Sequence, residues 1–282
     1  MSRLLNAVLP AAAASLLVAG PASAQLKLPR VSPSASTTQT LGYADLSVTY
    51  SRPGVKNRVI WGDLVPYDKP WRTGANEATV FTTTEEIQFG GQKLAAGTYS
   101  LLTIPTAGEW TVALNSEKDL WGAYEYKPDK DVVRVKVKPT PAEHQEWMLF
   151  TFEDLTPSTA NLVLRWEKLR VAVPVAFDVN TRALADCRKA LGPDWRTPYQ
   201  AANFCLTNDV ALEEGRKWLD RSLAVEQNYF NLGVLARWHA KNGKKADAIA
   251  TAKKAIEAAK QSKDPVDTVP TERLIAEWTA AK

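Results

Sequence analysis

Between residues 41 and 177, apolar and polar positions alternate in short runs. Leu46, Val48 and Tyr50 are separated by Ser47 and Thr49, Val133, Val135 and Val137 by Arg134 and Lys136, and Met148, Phe150 and Phe152 by Leu149 and Thr151. A period of two is that of a strand with one buried face. Ile87-Gln88-Phe89 and Gln92-Lys93-Leu94 flank Gly90-Gly91, a pair suited to a tight hairpin turn. Further strands are predicted at 98–104, where Pro105 stops the run, and at 109–115, 160–166 and 169–177. Such a succession of short strands without an intervening helix predicts an antiparallel β-sandwich or barrel.

After residue 178 the period changes to three and four, and Ala, Leu, Lys and Glu dominate. Helices are predicted at 178–192, 197–207, 210–224, 227–241, 244–261 and 269–281, with Pro or Asn242-Gly243 at several breaks. Leu232, Leu235, Ala236, His239, Gly243, Ala248, Ala252 and Ala255 follow the spacing of a tetratricopeptide repeat without its final proline. Ala201, Ala202, Cys205, Gly215, Leu219 and Ser222 give a fainter copy with one inserted residue. Generic helical hairpins are the alternative. The fold expected is therefore β + α in two domains, an antiparallel β-sandwich followed by a tetratricopeptide-like all-helical array.

The start of the chain reads differently. Arg3 is followed by a Leu-, Ala- and Val-rich run that ends at Pro21-Ala22-Ser23-Ala24-Gln25. A basic start, an apolar middle and a small-x-small end predict a secretory signal peptide, residues 1–24, cleaved after Ala24. Residues 25–40 are read as a flexible lead, 41–177 as the β domain and 178–282 as the helical domain. No later run reaches the roughly 20 apolar residues of a membrane helix. The expectation is a soluble exported protein, periplasmic or extracellular.

Composition narrows the chemistry. The chain has 282 residues, 10 Trp, only 2 His and 2 Cys, and a formal net charge of +4. That near balance gives no electrostatic case for nucleic acid. Two histidines leave little for a histidine metal site or general base. No phosphate loop, paired-cysteine metal motif or nucleophile elbow occurs, so no cofactor and no metal are expected.

One region breaks the alternation with a dense mixture of polar and aromatic groups: Tyr50-Ser51-Arg52-Pro53-Gly54-Val55-Lys56, then Trp61-Gly62-Asp63-Leu64-Val65-Pro66-Tyr67, then Trp71-Arg72-Thr73-Gly74-Ala75-Asn76-Glu77-Ala78-Thr79. With Gly97-Thr98-Tyr99-Ser100-Leu101 and Trp121-Gly122-Ala123-Tyr124, these segments resemble the bacterial exported family catalogued as Domain of Unknown Function 2911. The resemblance spans residues 32–177, and the helical tail resembles an extension that some members carry. It implies no known reaction, substrate or catalytic residue.

The residues themselves offer candidates. Arg72 presents a planar fork of donors for a carboxylate or phosphate, Asn76 a donor and an acceptor, and Glu77 a carboxylate within reach of Arg72. Trp61, Trp71, Trp121 and Tyr124 would add aromatic surface for a glycan or peptide. The structural alternative is a rigid corner in which Arg72 and Glu77 form a buried ion pair and Asn76 caps loop backbone. Likewise, Trp121, Tyr124 and Tyr126 either form stacking platforms or close one end of the core. His144 is read as an exposed loop residue. Cys187 and Cys205 are candidates for a disulfide in an oxidising compartment, with two free thiols as the alternative. The function expected is an exported binding or assembly module for a glycan, peptide or protein partner. The alternatives are an envelope hydrolase acting on glycans or peptides, using Glu77 with Arg72 or an unrecognised carboxylate pair, and a purely structural envelope component.

Overall fold

The computed structural model describes residues 28–118 and 120–280. The expected signal peptide, 1–24, lies outside the described residues. In chain order the strands are β1 (Ser34–Leu41), β2 (Ala44–Ser51), β3 (Thr79–Thr83), β4 (Ile87–Phe89), β5 (Gln92–Leu94), β6 (Gly97–Ile104), β7 (Trp110–Asn115), β8 (Asp131–Val137), β9 (Thr140–Glu153) and β10 (Thr159–Ala176). The helices are α1 (Val179–Ala190), α2 (Arg196–Asn208), α3 (Leu212–Val225), α4 (Tyr229–Lys241), α5 (Lys245–Lys260) and α6 (Val269–Ala280).

Two antiparallel sheets form the first part, one in the order β1-β2-β3-β6-β7-β8 and the other β5-β4-β10-β9. Both sheets keep open edges, so the architecture is a sandwich and not a barrel. Between them lie Leu46, Val48, Phe81, Phe89, Leu101, Val112, Val133, Phe150, Leu164 and Val173, all buried. These are the inward positions of the period-two runs, each worth roughly 1.5–3 kcal/mol on burial for a large aliphatic or aromatic side chain. Gly90 and Gly91 both have positive φ, as the β4–β5 hairpin requires.

Three local expectations are corrected. Residues 34–40, read as part of a flexible lead, belong to β1, paired with β2 from Ser34↔Ser51 to Leu41↔Ala44. The polar run Ser-Ala-Ser-Thr-Thr-Gln-Thr hides this because an edge strand is held by its ladder, and its Thr37 hydroxyl donates to the Phe150 carbonyl at 2.9 Å. His144 lies within β9, not in a loop; β9 is an edge strand, where Pro141 is tolerated. The two strands expected at 160–166 and 169–177 are one, β10, with register shifts between Arg165 and Leu169.

The helices fall within a few residues of the predicted bounds. Asp178 caps α1 by accepting from the Thr181 N–H, and Asn228 and Asn231 form a reciprocal capping box on α4. Helix α2 packs on α3, and α4 on α5. The small residues of the repeat spacing sit at these contacts: Ala236, Ala248, Ala252 and Ala255 are buried, as are Ala201, Ala202 and Cys205. Among the described residues, no helix is long and apolar enough to cross a membrane.

Candidate functional site

The segment 71–79 folds into a corner locked by its own hydrogen bonds. The Trp71 N–H donates to the Thr103 carbonyl at 2.7 Å, and the Thr103 N–H returns to Trp71 at 2.9 Å. The Trp71 indole donates to the Gly74 carbonyl, the Thr73 hydroxyl to the Trp71 carbonyl, and the Thr79 hydroxyl to the Thr73 carbonyl at 2.7 Å. Thr73 and Asn76 both have positive φ. A β-carbon on Gly74 would sit 3.1 Å from the Ser51 carbonyl oxygen, too close for an ordinary contact.

This corner presents one edge of a tryptophan cluster. The Trp61 ring meets Trp71, Trp110 and Trp166 edge-on at 5.9, 4.8 and 5.6 Å, while Trp71 stacks on Trp166 at 5.7 Å and 20°. Each such contact contributes about 0.5–1.5 kcal/mol beyond simple burial. Trp166 reaches this position from the irregular part of β10, where the register shift re-aims side chains.

Above the stacked pair opens a cleft of about 540 Å³. Trp71 and Trp166 line it together with Pro53, Gly54, Leu64, Pro70, Tyr124 and four cationic side chains, Lys56, Arg58, Lys69 and Arg72. Among the described residues, no Asp or Glu lines it. Arg58 is held in place by donating to the Val55 and Gly54 carbonyls, and the Lys56 ammonium stands 5.8 Å from the Trp147 ring. Lys56 and Asn57 both carry positive φ, so strained backbone sits beside the cleft as well as in the corner.

Arg72 is the residue that distinguishes the site. It makes no ion pair among the described residues, and its Nε is buried with no hydrogen-bond partner. A β-carbon at Gly122 would lie 3.0 Å from the Arg72 Nη1 and 2.9 Å from the Tyr124 ring, so the glycine makes room for both. Gly122 also has φ +75, which suits glycine for a second reason. The indole N–H groups of Trp166, 1% exposed, and of Trp61 are likewise buried without an acceptor. Burying an N–H without a partner costs about 1–3 kcal/mol.

The sequence-derived candidates divide on this geometry. Trp71, Arg72 and Tyr124 line the cleft; Trp61 lies in the cluster behind it. Asn76 turns away and donates to the Ser32 carbonyl at 3.2 Å and the Ser51 hydroxyl at 3.1 Å, tying down the chain before β1. Glu77 is not the partner of Arg72. It pairs with Arg30 at 2.6 Å, and that hydrogen bond holds its carboxyl below the usual range. Trp121 pairs its backbone with Glu77, is 60% exposed, and stands outside the cleft lining. The expected aromatic cluster also separates: Tyr126 turns in and donates to Asp131 at 2.5 Å, while Tyr124 is 86% exposed.

Pattern reading missed Lys56, Arg58, Lys69 and Trp166 as a set. Lys56 fell in a segment already marked by its polar density, but nothing along the chain announced that Trp166, in a plain strand, would reach the same cleft.

Cys187 and Cys205 are free thiols. Burial raises both pKa values, that of Cys205 to about 11, which keeps them protonated and poor nucleophiles. Among the described residues, no cluster of three or more His, Cys, Asp or Glu side chains is arranged to hold a metal ion.

A family model described as protein of unknown function (DUF2911) matches residues 32–175, just over half of the chain. The chain belongs to the DUF2911 family. The match covers both sheets, the corner and the cleft. The helices α1 to α6 follow it. No curated protein and no solved structure matches the chain.

Proposed function

We propose that this DUF2911 protein is an exported binding module whose β domain takes an anionic ligand in the tryptophan-floored cleft. The observation that carries the reading is the pairing of orphaned donors with uncompensated charge. Trp166 and Arg72, each with a buried N–H that has no acceptor, both line a cleft whose charged lining is wholly cationic. Like charges gathered around a low-dielectric concavity raise the free energy of the empty site and concentrate counter-ions there. A carboxylate or phosphate would accept charge-assisted hydrogen bonds from the cationic side chains of the lining and relieve their repulsion. The aromatic faces of Trp71 and Tyr124 suit a ring or apolar portion attached to that anion, as in an acidic glycan or a peptide end. Export rests on the basic, apolar and small-x-small segments at the start of the sequence.

Hydrolysis by Glu77 with Arg72 draws no support from this geometry, because Glu77 is engaged by Arg30 and no carboxylate lines the cleft among the described residues.

The test is a titration of intrinsic tryptophan fluorescence with glucose 6-phosphate, inorganic phosphate and glucose. The expected result is a saturable change with the two anions only, weakening as salt is raised. Arg72→Gln is expected to lower anion affinity at least about tenfold, roughly 1.4 kcal/mol, at a near-native melting temperature. Equal response to glucose and its phosphate, or unchanged affinity in Arg72→Gln, would overturn the proposal.

A further inference from the structure

The helical part contains a second arginine that is desolvated without a carboxylate. Arg237, on α4, is half-buried, and its Nη2 donates to the side-chain oxygen of Asn203 on α2, a neutral partner. Three other helical arginines do pair with carboxylates, Arg182 with Glu85 and Asp186, Arg188 with Glu214, and Arg216 with Asp220, while Arg221 donates to the Gly192 carbonyl from an exposed position. Burial pulls the Arg237 pKa below its ordinary value, the opposite of the direction found for the paired arginines Arg182 and Arg188. A buried guanidinium without a counter-ion is costly, and an amide oxygen recovers only part of the lost hydration.

Arg237 does not face closed protein. It lines an open cavity of about 250 Å³ bounded by α2, α4, α5 and α6, with no Asp or Glu among the described lining residues. The walls are aromatic: Tyr199, Tyr229, Phe230 and Trp278. The Tyr229 hydroxyl is occupied by the Asp267 carbonyl at 3.0 Å and the Thr271 hydroxyl at 2.8 Å, so it serves as wall and not as a free polar group. The opening is sustained by Gly233, one turn before Arg237, where an added β-carbon meets nothing within 4 Å. Glycine within a helix costs about 1 kcal/mol relative to alanine, and neither close packing nor a positive φ calls for it here.

A single cation at the end of an aromatic-walled space selects for one negative charge and one apolar group. The fork of the guanidinium matches a carboxylate, and the volume is that of roughly eight water molecules at ~30 Å³ each, the scale of one large amino-acid residue. We propose that this cavity is a binding site for an apolar or aromatic carboxylate, recognised by Arg237 and seated against Tyr199, Phe230 and Trp278, with Gly233 keeping the space open. The site is separate from the cleft of the β domain and does not depend on its reading. The same chemistry occurs in a free aromatic acid and in the C-terminal residue of a peptide.

Isothermal titration of the full chain with N-acetyl-phenylalanine and with its uncharged amide tests the site. The acid is expected to bind and the amide to bind at least about tenfold more weakly. Arg237→Gln should remove that preference. Gly233→Leu, which fills the cavity while improving helix propensity, should abolish binding at an unchanged or raised melting temperature; it keeps the test decisive should Arg237→Gln fold poorly. A hexapeptide ending in phenylalanine then separates the sources: tighter binding than the single acid assigns a chain terminus, equal or weaker binding a free acid. Equal binding of acid and amide, unchanged binding in a folded Gly233→Leu, or loss of binding in Arg72→Gln but not in Arg237→Gln would overturn the inference.

Discussion

Glu153 sits where two arginines from the neighbouring strand meet. Arg165 donates to both of its carboxylate oxygens at 3.0 Å, Arg170 adds two bonds at 3.1 and 3.3 Å, and the Thr151 hydroxyl a fifth contact at 2.9 Å. The Arg165 hydrogen bonds bring its carboxyl down to about 2 from 4.5. A lowered folded-state pKa stabilises above the unfolded value and ceases to do so as pH falls through the folded one. Glu153→Gln is therefore expected to cost roughly 1–3 kcal/mol at neutral pH, between an exposed and a buried pair. Urea unfolding should show the gap between variant and parent closing from about pH 5 downward and nearly gone at about pH 2. At this scale some of the cleft was legible. Trp71, Arg72 and Tyr124 stood out because they break a regular alternation. The partner of Glu77 was not, because Arg30 lies 47 residues away, whereas Arg72 is only five. Proximity along the chain loses to the corner, which sets Arg72 against Gly122 and Glu77 beside the Trp121 backbone.

Among the elements, the helices were the most legible, since amphipathic periodicity and capping residues act within one or two turns. Their closest approach is also predictable in kind. At Gly215 in α3 an added β-carbon would lie 2.5 Å from the Cys205 β-carbon in α2 and 3.2 Å from the Trp238 ring in α4. Gly215→Ala gains helix propensity worth about 1 kcal/mol but forces two backbones apart. The net expected is a loss of about 1–3 kcal/mol, seen as a lower denaturation midpoint with an unchanged urea dependence. The less legible elements were β1, whose polar sequence lacks an apolar stripe, and β10, whose irregular register near Trp166 looked like a break. In each case strand pairing, a long-range property, settled the element. Only pairing with β9 shows that the chain continues through residues 167 and 168.

For the whole molecule, the sandwich core and the core of α2 to α4 are separate clusters. They are joined at α1, where Val179 packs on the β core, Arg182 pairs with Glu85 at 2.9 Å, and its guanidinium lies 5.5 Å from the Tyr43 ring. Among the described residues, no helix packs extensively along either sheet. Calorimetry is expected to resolve two unfolding transitions, and a saturating ligand of the β-domain cleft should raise only one of them. A single transition moved as a unit would show that the two cores are coupled. The sequence by itself determined the class of each half, the helix bounds, most strands and the corner that carries Trp71 and Arg72, because periodicity, turn chemistry and capping are local. Only the tertiary structure decided that four cations line one cleft with Trp71 and Trp166, that Glu77 belongs to Arg30, and that Arg237 is desolvated beside a cavity. Those outcomes depend on which distant strands and helices become neighbours, and burial, charge balance and unmet hydrogen bonds exist only once they have.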